Sequence, residues 1–255
     1  HVYLNINSSD EFNKIWSECI EPSGLGALIV EEYLPNTDDY RILVFENGTK
    51  ATLKRTPPVV TGDGNSTIQE LIIKENHRRM NPRNTCLCEI YIGDVEGKRA
   101  LLEKGHKDTD ILPKNEKLVL RYNSNISYGG ECENISEVVH PSYYKLAENI
   151  LKHFPSLPFI SVDLVAHDVT KDCAEDLHAI IECHTTVGYS MFSMPSKGPS
   201  FYILEPIIDL QELLSGFETF VAANKRLEQI QNNKVKEFCF RYLMNHRDSF
   251  KSKPY

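Results

Sequence analysis

The stretch DDYRILVFENGTKATLKR, residues 38 to 55, constrains the fold more than any other part of the chain. Strand-like alternation runs up to Asn47-Gly48 and resumes after it, and such a pair tolerates the positive φ values that a tight hairpin turn requires. An antiparallel hairpin is therefore expected here. Combined with the helical segments around it, the hairpin predicts an α+β fold built on an antiparallel sheet with flanking helices.

Other segments supply the rest of that fold. HVYLNINSSDEF begins like a strand and then presents Ser8 and Glu11 at capping-box spacing, which predicts a helix to about Cys19. ALIVEEYL, residues 27 to 34, reads as an apolar strand that turns polar at its end. After a turn at Gly62-Asp63-Gly64, Thr67 and Glu70 open a second helix expected to stop near Asn81-Pro82. Residues from about 78 to 116 read as a polar, irregular insertion. HPSYYKLAENILKHF places Tyr143, Ala147, Ile150, Leu151 and Phe154 on one helical face. FISVDLVAH (159 to 167) and HAIIECH (178 to 184) read as strands, and beyond Pro206 the chain is expected to be helical.

The charge balance, 28 basic against 36 acidic residues for a net −8, shows no basic block, so neither nucleic acid nor an anionic membrane is the expected partner. Seven cysteines without CxxC spacing suggest neither a disulfide framework nor a zinc site, and the chain reads as reduced and cytoplasmic. Asn-x-Ser/Thr sequons occur, among them Asn7 and Asn65, but no signal peptide or apolar span accompanies them.

Two features carry chemistry. Alternation along 159 to 167 sets Asp163 in the middle of an otherwise apolar strand, where an unpaired carboxylate is costly and calls for a partner, a metal or an open face. Glu182 and His184 repeat the pattern at the end of the next strand; if the strands are neighbours, the three converge, and carboxylate oxygens so placed suit a hard divalent cation. The plainer alternative is a solvated sheet face. In LVLRYNSNISYGG, residues 118 to 130, Arg121 offers a charged fork for an oxyanion, Asn123 and Asn125 orient polar groups, and Gly129-Gly130 lets backbone N–H groups approach an anion. A plain turn is the alternative for the glycine pair.

Six segments in order, VEEYLPNTDDYRILV, KRTPPVVTGDGNSTIQELI, LVLRYNSNISYGG, EVVHPSYYKLAENI, ISVDLV and IIECHTTVGYSMFSMPSKGP, resemble the ATP-grasp domain of cyanophycin synthetases and of bifunctional glutamate–cysteine ligase/glutathione synthetases over roughly residues 1 to 199. The resemblance implies an ATP-grasp fold. Residues 1–35 would be the remainder of its small lobe, 36–199 its C-terminal lobe and 200–255 a helical extension. It implies an ATP-dependent carboxylate–amine ligase that forms a peptide or isopeptide bond on an amino acid or small peptide through an acyl phosphate, with ATP and Mg²⁺ or Mn²⁺ as cofactors. Glu31, Glu32, Tyr33 and Leu34 match the hinge that meets adenine, and Asp39 the acid that holds ribose. Arg41, Lys54 and Arg55 match basic positions facing the phosphates, although a charged hairpin surface would look the same. Asp163 and Glu182 match metal ligands, with His184 standing where the family usually has Asn, and Arg121, Asn125, Gly129 and Gly130 match the reactive end.

Other departures are Tyr128 where Thr is common, Val187 where Pro is common and Ser161 where Gly is common. A nitrogen ligand at His184 would shift preference toward Mn²⁺. The family's lysine and glycine-rich loop would precede His1, so a missing N-terminal part of a larger polypeptide is the expectation, with a homo-oligomer as the other partner considered. Two rivals remain from other classes: a catalytically impaired nucleotide-binding or regulatory module, and a structural interaction fragment without a ligand.

Overall fold

The structure, a computed structural model, describes residues 3–4, 6–24, 28–46, 48–80, 86–154 and 157–201. Asn47, Asn81-Pro82 and the expected helix beyond Pro206 lie outside the described residues. In chain order the elements are α1 (Ser9–Ile15), β1 (Asp38–Phe45), β2 (Lys50–Thr56), β3 (Val59–Thr61), α2 (Ile68–Arg79), α3 (Val95–Glu103), β4 (Lys117–Val119), β5 (Glu131–Asn134), α4 (Pro141–Leu151), β6 (Phe159–Ala166), β7 (His178–His184) and α5 (Tyr189–Ser193). They fall into two compact units, one of His1–Asp38 with Arg55–Cys132, the other of Asp39–Lys54 with Glu133–Tyr255.

In the first unit, Ser8 caps α1 by accepting the Glu11 N–H at 3.1 Å. The helix then loosens into a π turn, Trp16–Ile20, before a 3-10 turn ends it at Gly24 with φ +70°. Thr67 and Glu70 form the anticipated reciprocal capping box on α2. The pair β3/β4 is antiparallel, with Val60 opposite Leu118. Val60, Ile68, Leu71, Ile90, Leu101, Leu112, Leu118 and Leu120 close the core between these elements. Two expectations fail in this unit. The irregular insertion contains α3, started by Asp94, whose carboxylate accepts the Gly97 N–H at 2.9 Å. Residues 28–34 form no strand; an extended apolar segment becomes a strand only when a neighbour takes its N–H and C=O groups, and no described strand pairs with it.

The second unit is built on a five-stranded sheet of order β5-β2-β1-β6-β7. The hairpin β1/β2 supplies two adjacent strands, as the Asn-Gly turn predicted. Even-numbered residues of β1 and β6 (Tyr40, Ile42, Val44, Ile160, Val162, Leu164) pack with Tyr143, Tyr144, Ala147 and Leu151 of α4 in one apolar cluster. Period-2 alternation therefore sends the odd-numbered side chains, Arg41, Ser161 and Asp163 among them, to the sheet face away from α4. Phe154 of the predicted helical face lies beyond the helix and is exposed.

Candidate active site

The central observation is the register of β6 against β7. The two strands are antiparallel, with Asp163 opposite Glu182 and Ser161 opposite His184. Directly opposed residues point to the same face, so all four side chains share one face of the sheet. A bulge follows Asp163, because Leu164 pairs with Ile180 and leaves Ile181 as an extra residue. The neighbouring β1 adds Arg41.

Asp163 is only 2% exposed, which rules out the solvated-face alternative for this acid. Its burial is compensated by a bidentate ion pair, Arg41 Nε to Oδ1 at 2.6 Å and Nη2 to Oδ2 at 2.7 Å. Arg41, expected to face phosphates, is thus engaged by a carboxylate. Glu182 sits on the edge strand and is largely exposed. His184 Nε2 lies 3.0 Å from Glu182 Oε1 and 3.4 Å from Asp163 Oδ2. That nitrogen is buried, within ion-pair distance of both acids but aligned with neither for a hydrogen bond. One ligand atom from each of Asp163, Glu182 and His184 lies within 4.8 Å of the others. Two carboxylate oxygens and an imidazole nitrogen gathered this closely fit a shared divalent cation, and the donor set is compatible with Mg²⁺ or Mn²⁺. An orphan lies on the same face: Ser161 is 0% exposed and its Oγ has no hydrogen-bond partner among the described residues. A buried hydroxyl left so costs about 1–3 kcal/mol. Burial, with the nearby charges of Asp163 and Glu182, pushes the Cys183 thiol up.

The first unit treats Arg121 in an unexpected way. Instead of an open fork it is a 1% exposed guanidinium. Nη1 and Nη2 each donate to an Asp94 oxygen at 2.8 Å, and Nη2 also donates to Glu96 Oε2 at 2.9 Å. Nη1 donates in addition to the Tyr91 carbonyl at 2.6 Å, and the Tyr128 ring stacks 4.5 Å away. Burial pushes the Asp94 carboxyl up, but the Arg121 guanidinium and the Gly97 N–H outweigh it and hold it below the usual carboxylate range. Asn123 grips both oxygens of Glu96 at 2.6 Å. Asn125 accepts the Ser127 N–H at 2.9 Å. The glycine N–H groups are also occupied: Gly129 donates to Ile126 O and Gly130 to Asn125 O, both at 3.0 Å. In this structure Arg121, Asn125, Gly129 and Gly130 build the loop: nearby acids and a backbone carbonyl engage both terminal nitrogens of Arg121, and the loop's own backbone engages the Asn125 side chain and the two glycine N–H groups. Gly129 has φ +96°, and a Cβ there would lie 2.6 Å from the Ile90 Cα.

Glu31, Glu32 and Tyr33 are exposed and Leu34 half-buried, in the first unit. Asp39 and Lys54 are half-buried in the second unit, and half-buried Arg55 opens the next stretch of the first. Asp94, Glu96 and the buried Arg79, which donates to Glu131 at 3.0 Å and to the Gly129 carbonyl at 2.8 Å, carried no sequence signal. Only a fold tells a buried charge from a surface one.

No protein-family model matches the chain. Among curated proteins it is 31% identical over 211 residues to a cyanophycin synthetase of Geminocystis herdmanii, covering 82% of this chain and 24% of the relative. It is 32% identical over 187 residues to a glutathione biosynthesis bifunctional protein of Clostridium perfringens, covering 72% and 24%. Among solved structures, the crystal structure of a bifunctional glutathione synthetase from Pasteurella multocida matches with a TM-score of 0.57 at 30% identity, over 70% of this chain and 25% of that one. The chain thus spans about a quarter of the length of these relatives.

Proposed function

We propose, on the premise that this chain is a relative of the ATP-grasp ligases and shares their fold, that it takes part in ATP-dependent carboxylate–amine ligation. An acceptor carboxylate takes the γ-phosphoryl group of ATP, and an amine attacks the acyl phosphate, releasing phosphate and forming a peptide or isopeptide bond. The proposed acceptor is an amino acid or small peptide. The observation that carries this reading is the convergence of Asp163, Glu182 and His184 on one sheet face.

Asp163, Glu182 and His184 would hold a divalent cation, which when bound supplies charge neutralisation for phosphoryl transfer. Arg41 clamps both oxygens of Asp163, so the carboxylate is oriented before substrate arrives. Glu182, exposed at the sheet edge, presents its carboxylate to solvent, from which the nucleotide comes. For Glu31 to Leu34 the proposed role is adenine binding, for Asp39 ribose binding, and for Lys54 and Arg55 phosphate binding. A phosphate role for Arg121 requires it to exchange Asp94 or Glu96 for phosphate oxygens.

That engagement of Arg121 favours a second reading, a nucleotide-binding module without catalysis. Release of ADP and phosphate, followed with Mg²⁺ and with Mn²⁺ across amino-acid acceptors and amines, separates the two. Release that depends on both acceptor and amine, and that His184→Asn shifts from Mn²⁺ toward Mg²⁺, is the expected result. Nucleotide binding without release would move the assignment to the second reading, and no nucleotide binding would end both.

A further inference from the structure

We propose that Ser161 is a further donor to the cation site, its hydroxyl oxygen joining Asp163, Glu182 and His184 in holding a hard divalent ion. This rests on the metal-site reading above and extends it to a residue that no carboxylate or histidine pattern would select.

Ser161 lies two residues before Asp163 on β6, hence on the same face, and its register partner across the antiparallel pair is His184. The three side chains are therefore neighbours on one patch of sheet. Ser161 is completely buried, but its Oγ has no hydrogen-bond partner among the described residues. Opposite it, the His184 Nε2 sits 3.0 Å from Glu182 Oε1 and 3.4 Å from Asp163 Oδ2. Buried polar atoms in folded proteins nearly always have partners, so an orphan calls for a ligand, an ion or a bound water. An orphan hydroxyl whose register partner belongs to a cluster of three candidate metal donors points to the ion that cluster would hold. Packing alone does not explain the hydroxyl, since alanine would fill nearly the same space with no polar atom to bury. A neutral hydroxyl oxygen suits the ion's chemistry: Mg²⁺ and Mn²⁺ favour oxygen donors, and Ser161 adds one without adding a further negative charge to a face that already carries two acids.

The test is direct Mn²⁺ binding by the full chain, measured by the loss of the free-ion electron paramagnetic resonance signal, with and without a non-hydrolysable ATP analogue. Ser161→Ala is expected to weaken binding about tenfold, within the range seen when groups that support a metal site are removed. Thermal unfolding supplies the second readout. A donor serine predicts a metal-free Tm at or above wild type for Ser161→Ala and a smaller rise on adding Mn²⁺; a merely structural serine predicts a lower metal-free Tm and an undiminished rise. Wild-type affinity in Ser161→Ala, with wild type itself binding Mn²⁺, would overturn the role of Ser161 and leave the metal site standing. Absence of Mn²⁺ binding by wild type in both conditions would instead remove the metal site, and this inference with it.

Discussion

Buried charges organise both units, and each is held by an opposite charge far away in sequence. Asp163 and Arg41 are 122 positions apart and pair through two bonds. Removing one member leaves the other charged and enclosed, so Arg41→Met should lower the unfolding free energy by about 3–5 kcal/mol, whereas Arg41→Met with Asp163→Leu should recover much of that loss. Urea denaturation of the two variants measures the difference. Asp94 offers the pH counterpart. Its pKa in the folded protein is held below the ordinary value, so the unfolded chain binds its proton more readily. The stability it contributes is fully present above the unfolded pKa of about 3.9 and is lost as pH falls through the lower folded value. In Asp94→Asn the urea midpoint should be lower near neutrality and should fall less steeply on acidification; an unchanged acid slope would remove Asp94 from that account.

At the scale of elements, caps and turns could be read from the sequence where they rest on local bonds. The Thr67/Glu70 box and the Ser8 cap appear where spacing placed them. By contrast α3 gives little local signal, because its start depends on one aspartate in a stretch otherwise rich in charge, and residues 28–34 look like a strand yet form none because strand pairing is not a local property. The glycine pair shows how a short motif can be read in two ways. Gly129 is demanded by φ +96° and by the backbone of Ile90, whereas Gly48, with φ +82°, faces open space. Gly129→Ala should therefore destabilise by more than the roughly 1–2 kcal/mol expected of left-handed strain at Gly48→Ala. Equal losses in thermal or urea unfolding would mean that the close approach to Ile90 carries no weight.

Across the whole molecule, the sequence by itself determined the hairpin, the apolar face of α4, the alternation of β6 and the presence of a buried-strand acid, since periods of 2 and 3.6 residues, turn chemistry and caps act between near neighbours. It also selected Asp163, Glu182 and His184 as a group, because equivalent strand positions repeat. Only the tertiary structure decided which face those residues share, that Arg41 clamps Asp163, that Asp94 and Glu96 occupy Arg121, and that Ser161 carries an orphan hydroxyl. Each of those outcomes depends on strand register or on partners 25 or more positions apart. A charged side chain is bound by whichever opposite charge the folded chain brings within reach, and burial then makes that choice costly to reverse.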